Sequence, residues 1–447
     1  MKKHILSIVL ITTTALSVFG QYDTAWSLNH CIDYAIQYNL EVKRQELMLQ
    51  STDQDHLQSK MDLLPNLNGM LEHELGSGRV LDRGTYERVN ANVSQGDLGL
   101  QSEISLFRGL QGYNNMKMNK ANYLMNKEDL EAMEDNVTLR VMTGYLDLLR
   151  NQELADVAAN KVEVTQQQVE RMKRLVEVGN EPKGKLLEVN ATLSTDKLAL
   201  TQAVNAREIA RLNLIHIMNL EDGSSFDIEK PLLPDPSTLD IPELDSVFEY
   251  ALANLPQIKS AAYGIESQER LLAIRRGARS PRLYARGLLY TNYSDGLSNP
   301  IDPDEPYPIS EQINNNQYKQ VSMGLSFPFF NRWQTQTNIN KAKLDLQDAE
   351  FRYDQAVLLL QQSIQNYHTE ALAARANYSS AQESVANSDE AFRFAEERFK
   401  VGTGTALELQ EARNQLYQST SDMISSKFVL IFYTKILDFY MGKEIVL

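Results

Sequence analysis

"VSQGDLGLQSEISLF", residues 93–107, alternates cleanly between apolar and polar residues. In an extended chain successive side chains point to opposite sides. Leu98, Leu100, Ile104 and Leu106 therefore share one face, and Gly99, Gln101, Glu103 and Ser105 the other. "YKQVSMGLSFPFF" (318–330) repeats the pattern, with Val321, Met323, Leu325 and Phe327 set against Gln320, Ser322, Gly324 and Ser326. Each strand has a neighbour, "LNGMLEHELG" (67–76) and "LYARGLLYTNY" (283–293), so β-hairpins are expected over 67–107 and 282–330. The residues between them, 77–92 and 294–317, read as long polar loops of the kind found on the outer side of membrane barrels. A tilted strand crosses a bilayer in about 9–11 residues, and these strands are about that long. Phe327, Phe329, Phe330 and Trp333 gather at one end of the last strand, as an interfacial aromatic girdle would. Open sheet edges are not tolerated in lipid, and a closed transmembrane barrel needs about eight strands or more. Four spanning strands per chain thus require a barrel shared between several chains, in a number that the pattern alone does not fix. The competing reading, two half-buried hairpins on a soluble core, needs further elements to cover them. The rest of the sequence is written for rods instead.

Between Tyr113 and Val178 there is no proline and a single glycine. Within that run Val137, Val141, Gly144, Leu148, Asn151, Ala155, Ala158, Val162, Thr165, Val169, Met172 and Val176 step by fours and threes. This is a seam of period 3.5, the pattern of coiled coils. A second seam runs through Ala342, Leu346, Ala349, Tyr353, Ala356, Leu360, Ser363 and Tyr367, where alternating small and large residues suit close helix packing. At 1.5 Å per residue the first rod is roughly 100 Å long. Both runs break at a Val-Gly, in "RLVEVGNEPKGKLLEVNA" (174–191) and "RFKVGTGTALELQEA" (398–412), and helix resumes at once. The halves also align. "DYAIQYNLEVKRQ" (33–45) matches "EYALANLPQIKSA" (249–261), Pro65 matches Pro281, and Val178-Gly179 matches Val401-Gly402. A duplication is expected, with repeats over 21–220 and 245–447 and a proline-bearing seam over 221–244. The hairpin tips then fall at 178–184 and 401–405.

The N-terminus, "MKKHILSIVLITTTALSVFG", has two lysines, an apolar stretch too short for a spanning helix and a small closing residue. Residues 1–20 read as a secretory signal peptide. Cys31 is the only cysteine, so no intrachain disulfide or thiolate metal cluster is possible. It lies too far from the signal for a lipid anchor, and on an amphipathic pattern it reads as a buried small hydrophobe. A formal charge of −15 offers no footprint for nucleic acid. Six scattered histidines form no H-x-x-x-H pair, "VGTGTAL" lacks the Lys-Ser/Thr of a phosphate loop, and no serine stands in a G-x-S-x-G elbow. The sequence therefore indicates neither an enzyme, nor a cofactor, nor a metal site. "FVLIFYTKILDFY" (428–440) carries Lys435 and Asp438 and is too short to span, which predicts a packed terminal helix.

A secreted, duplicated chain of paired long helices and two hairpins resembles the TolC-type outer membrane efflux family over about residues 22–440. "CIDYAIQYNLEV", "ALANLPQIKSA", "LLPNL", "RSPRL" and the two Val-Gly breaks carry the likeness through their order and duplicated spacing. The resemblance implies an α+β membrane protein, a homotrimer whose twelve strands form one barrel in the outer membrane, continued by an α-helical barrel in the periplasm. It implies an exit duct for small molecules or secreted polypeptides, in a tripartite efflux or type I secretion system. A structural coiled-coil envelope or adhesion protein is the alternative. The implied partners are a periplasmic adaptor, an inner-membrane efflux pump or ABC transporter, and outer membrane lipid. By position, Val178, Gly179, Asn180, Val401, Gly402 and Thr403 would be the tips on which the adaptor docks. Glu408 and Glu411, three apart on one helix face, would line the tunnel entrance, gating it and favouring cations. Gly404 stands where some members place an arginine latch, which argues against such a latch here. Neither the substrate nor the pump class is legible.

Overall fold

The computed structural model describes residues 25–81, 86–233, 235–301 and 305–447. The expected signal peptide lies outside them. In chain order the elements are β1 (Ala25–Trp26), α1 (Leu28–Tyr38), α2 (Leu40–Met61), β2 (Asn68–Leu81), β3 (Arg88–Phe107), α3 (Gln111–Glu177), α4 (Lys183–Met218) and β4 (Asp227–Ile228). There follow α5 (Leu244–Asn254), α6 (Pro256–Gly277), β5 (Arg282–Ser294), α7 (Ile309–Asn315), β6 (Tyr318–Ser326), α8 (Gln334–Lys400) and α9 (Ala406–Tyr440). At the head of each half stands a pair of helices, α1 with α2 and α5 with α6. Asn39 takes an extended backbone and its side chain caps Glu41, while Leu255 is extended ahead of Pro256. Proline at a first helical position is pre-set for helix, and the residue before it is pushed out of it.

The chain forms two compact units. Of the described residues, one holds 25–34, 141–233 and 446–447. Its α3 segment and α4 form an antiparallel hairpin, in which Ala155, Ala158, Thr165, Val169 and Met172 of the heptad seam are buried. Gly144 lets α4 approach, since a Cβ there would stand 3.3–3.4 Å from Ile217 and Leu214. Asp196 is 2% exposed; it accepts from the Thr165 hydroxyl at 2.6 Å and pairs with Lys161 at 3.0 Å. Such a pair is costly to break, because removing one partner leaves a buried charge. β1 and β4 pair in parallel, and the Tyr145 hydroxyl donates to the carbonyls of Trp26 and Glu229 on either side. Cys31 is fully buried, and burial pushes its thiol up to about 12.

The other unit holds the described residues of 35–140 and 235–445. Val247 and Ala251 of α5, Leu255 at the junction and Ile258 of α6 pack against Leu360, Ile364 and Ala371 of α8 and Leu437 of α9. Residues 428–440 are the buried end of α9, which carries Phe428, Leu430, Ile431 and Ile436 into the core. Among the described residues no helix is long and apolar enough to cross a membrane. β2, β3, β5 and β6 form one antiparallel sheet in that order, so the two hairpins join through β3 and β5. The strands correct two expected boundaries. β2 and β3 continue to Leu81 and from Arg88 through residues expected to be loop, because Ser77 to Leu81 still complete the backbone ladder opposite Asn92 to Arg88. β6 stops at Ser326, just before Pro328, which has no N–H to donate.

Candidate functional site

The register sorts the sheet into two faces. On one lie Leu71 and Leu75 of β2, Leu98, Leu100, Ile104 and Leu106 of β3, Leu283, Ala285 and Leu289 of β5, and Val321, Met323 and Leu325 of β6. Leu71 is 77% exposed and Val321 86%, a density of bare apolar surface that water does not accommodate. From Leu106 to the rung of Gly96 the strand climbs about 33 Å, or about 25 Å along the normal at a ~40° tilt, the height of a barrel's lipid band. A polar rung closes the band at its upper end. His73, Gly96 and Tyr293 are register partners, the His73 Nδ1 lies 2.8 Å from the Tyr293 hydroxyl, and the rings stack. Gly96 makes room for this, since a Cβ there would sit 2.5 Å from the tyrosine ring. Below the lower end, Phe329, Phe330 and Trp333 stand exposed. Among the described residues within the band, Lys319, the register partner of Leu289, is the one charged side chain on a face that is otherwise greasy in the middle and amphipathic at both ends.

The opposite face carries Glu72, Glu74, Asp97, Gln101, Glu103, Arg282, Tyr284, Arg286, Tyr290 and Gln320. Among the described residues, the outer edges of β2 and β6 have no strand beside them. Above β6 the longer β5 is closed differently. The Ser294 N–H donates to the Gln312 side-chain oxygen at 2.8 Å, and the Gln312 amide donates back to the Ser294 carbonyl at 3.0 Å. The buried side chain of α7 thus reproduces the bonds of a missing strand residue. Nothing in the spacing of 294–317 signalled that helix.

The two turns between long helices share one cap. At the first, Asn180 N–H donates to Leu175 O and Gly179 N–H to Val176 O, with Gly179 at φ 78°. At the second, Thr403 N–H donates to Arg398 O and Gly402 N–H to Phe399 O, with Gly402 at φ 79°. These crossed bonds form the Schellman motif, whose left-handed position favours glycine. Val178 and Val401 project beside them, 70% and 71% exposed. The restarts differ. Pro182 precedes α4 without a side-chain cap, whereas Thr405 and Glu408 form a reciprocal capping box at the start of α9. Glu408 also lies 3.6 Å from Arg398 across the turn. Glu411, one turn on, is exposed. The two carboxylates paired by spacing therefore stand in different surroundings. The signal for the box, Thr-x-x-Glu in "TALE", was present in the sequence.

The profile of the outer membrane efflux proteins matches residues 31–220 and 247–426. The chain belongs to the outer membrane efflux protein family. Outer membrane efflux protein BepC of Brucella suis biovar 1 (strain 1330) is 21% identical over 438 residues, spanning 96% of this chain and 89% of that one. Among solved structures, the CmeC outer membrane channel of Campylobacter jejuni superposes with a TM-score of 0.78 at 19% identity, over 93% of this chain and 86% of its own. The outer membrane protein VceC of Vibrio cholerae gives 0.76 at 13% identity, over 93% and 96%. This efflux protein accordingly has the fold of the TolC-type channels, long helical hairpins joined to a β domain, and works in the outer membrane as an exit duct with a periplasmic extension. Membership disfavours the alternative of a structural envelope rod.

Proposed function

We propose that three copies of this chain join β6 of one to β2 of the next, forming a twelve-stranded outer membrane barrel continued by a helical tunnel. The observation that carries this reading is a sheet with one apolar face and two unpaired edges. Lipid accepts the face but not the edges. A second feature supports it. On α8, Leu344, Phe351, Leu358 and Leu372 recur at heptad multiples, and all but Leu372 are more than 60% exposed. They lie two residues on from Ala342, which is buried, and from the half-buried Ala349 and Ala356 of the seam, about 200° around the helix. Among the described residues this stripe stands exposed, a seam suited to a helix of a neighbouring copy. Cargo from an inner-membrane efflux pump or ABC transporter would enter at the Val-Gly tips, where a periplasmic adaptor docks on Val178, Gly179, Asn180, Val401, Gly402 and Thr403. Bare valines beside rigidly capped turns suit such docking. Glu411 would face the entrance and favour cations, with Glu408 paired to Arg398 across the turn. Light scattering of the detergent-purified protein, corrected for bound detergent, is expected to return the mass of three chains. The mass of one chain would remove the shared barrel.

A further inference from the structure

The polar face of the sheet is not uniformly charged. Among the described residues of the four strands, Arg282 and Arg286 are its only cations, and both lie on β5 near the end where the strands meet the helices. They flank Tyr284 on the same face, each guanidinium carbon within 5.7–5.9 Å of the ring centroid. Glu103, the register partner of Arg286, bridges them, at 3.0 Å from Arg282 and 2.8 Å from Arg286. Its one negative charge against two positive ones leaves the group with a net positive charge. The side chains of Arg282 and Arg286 remain 53% and 46% exposed, with guanidinium N–H groups to spare. Tyr284 lies over its register partner Gly324, where a Cβ would fall 2.3–2.7 Å from the ring. A glycine here lets the ring lie flat along the wall. The remaining acids of this face, Glu72, Glu74 and Asp97, sit toward the loop end. Asp97 is about 20 Å further along the strand than Glu103.

We propose that Arg282, Tyr284 and Arg286 form an anion-binding rung on the inner wall of the barrel, suited to aromatic carboxylates, sulfonates or phosphates. The inference rests on the barrel reading, which turns this face toward the lumen. Guanidinium groups give paired, charge-assisted hydrogen bonds to an oxyanion, and the tyrosine between them offers a face on which an aromatic cargo stacks. Three copies place six arginines and three glutamates at one level, with an acidic zone beyond them. Anionic cargo is thereby concentrated in the section entering the membrane and repelled at the outer mouth.

The test is planar-bilayer recording of the purified trimer under a KCl gradient, at about 0.01 M, where the screening length is ~30 Å, and at about 1 M, where it is ~3 Å. Changing two charges per chain shifts the local potential by about one kT at low salt. Arg282→Gln with Arg286→Gln should therefore lower the anion-over-cation permeability ratio by ~2–3-fold there, and leave it unchanged at high salt. Arg282→Lys with Arg286→Lys keeps the charge and should keep the ratio, separating charge from any disturbance of the sheet. Benzoate is expected to reduce the wild-type current at low salt, and to do so less in Tyr284→Leu. Conducting trimers whose permeability ratio is the same in wild type and the glutamine pair would overturn the rung and leave the barrel standing. A wild-type preparation that forms no channels would take the barrel down with it.

Discussion

Gly402 has open space around its missing side chain but a φ of 79°. The demand there is on backbone conformation, not on room. An L-residue in that region costs about 1–2 kcal/mol, and asparagine is the residue that tolerates it best after glycine. Gly402→Leu is therefore expected to leave the trimer in the membrane while misdirecting Val401, abolishing adaptor-dependent export; Gly402→Asn should keep most of it. An export assay beside an immunoblot of outer-membrane trimer reads both, and full export by the leucine variant would exclude docking at this turn. Glu408 and Glu411 should also separate. The carboxylate of Glu408 accepts from Thr405 N–H and faces Arg398, so its charge is already matched; that of Glu411 is exposed. In bilayer recordings Glu411→Gln is expected to weaken cation preference and divalent block, with Glu408→Gln having the smaller effect. Thr405→Ala removes the side-chain cap of α9, worth about 1 kcal/mol, and should speed amide exchange over 403–409. Equal conductance changes in the two glutamine variants would restore them as one ring.

At the scale of the element, α3 carries a strain that pH can reveal. Asp135 is pushed up to about 6, first by burial and then by Glu131 and Glu134 beside it. An unfolded aspartate titrates near ~3.9, so between about pH 4 and 6 the folded chain holds more protons than the unfolded one and stability falls as pH rises. The penalty is complete above about pH 6. Asp135→Asn removes it, and is expected to raise the thermal midpoint in detergent at pH 7.5 by an amount equivalent to about 1 kcal/mol after solvent screening. The gain should fade below about pH 4; a gain that persists there would exclude the carboxylate's charge as its cause. Long elements like α3 are also where sequence reads best. Its seam repeats a single local rule many times, so Ala155, Ala158 and Val169 could be placed inside from spacing alone. The tips were legible for a similar reason, because glycine best suits the left-handed conformation that ends α3 and α8. What escaped depended on partners distant in sequence. The upper halves of β2 and β3 hold through backbone bonds that polar and glycine residues do not advertise. Gln312 is a strand substitute only because Ser294 lies opposite it, and Glu103 meets Arg282 and Arg286 only through the register of β3 on β5.

For the whole molecule, the deciding quantity is apolar surface that one chain cannot bury. The sheet's lipid face finds a solvent in the bilayer, but α8 carries its exposed stripe on a helix that is not hydrophobic enough to enter one. Phe351 is 62% exposed and Leu358 64%, with the buried seam of the same helix turned the other way. Covering each such side chain contributes about 1.5–3 kcal/mol, and a threefold assembly repeats the gain at every interface. Phe351→Asp with Leu358→Asp is therefore expected to lower the temperature at which the trimer dissociates in SDS by well over 10 °C, because charges would have to be desolvated at the seam. Helix content by circular dichroism should not change, since neither residue belongs to the core within the chain. A surface pair further toward the tip, Glu390→Ala with Arg393→Ala, removes only an exposed ion pair of little energetic weight and serves as the control. If the aspartate variant kept the wild-type dissociation temperature, the stripe would not be a subunit contact, and the trimer would have to be held by its strand edges alone.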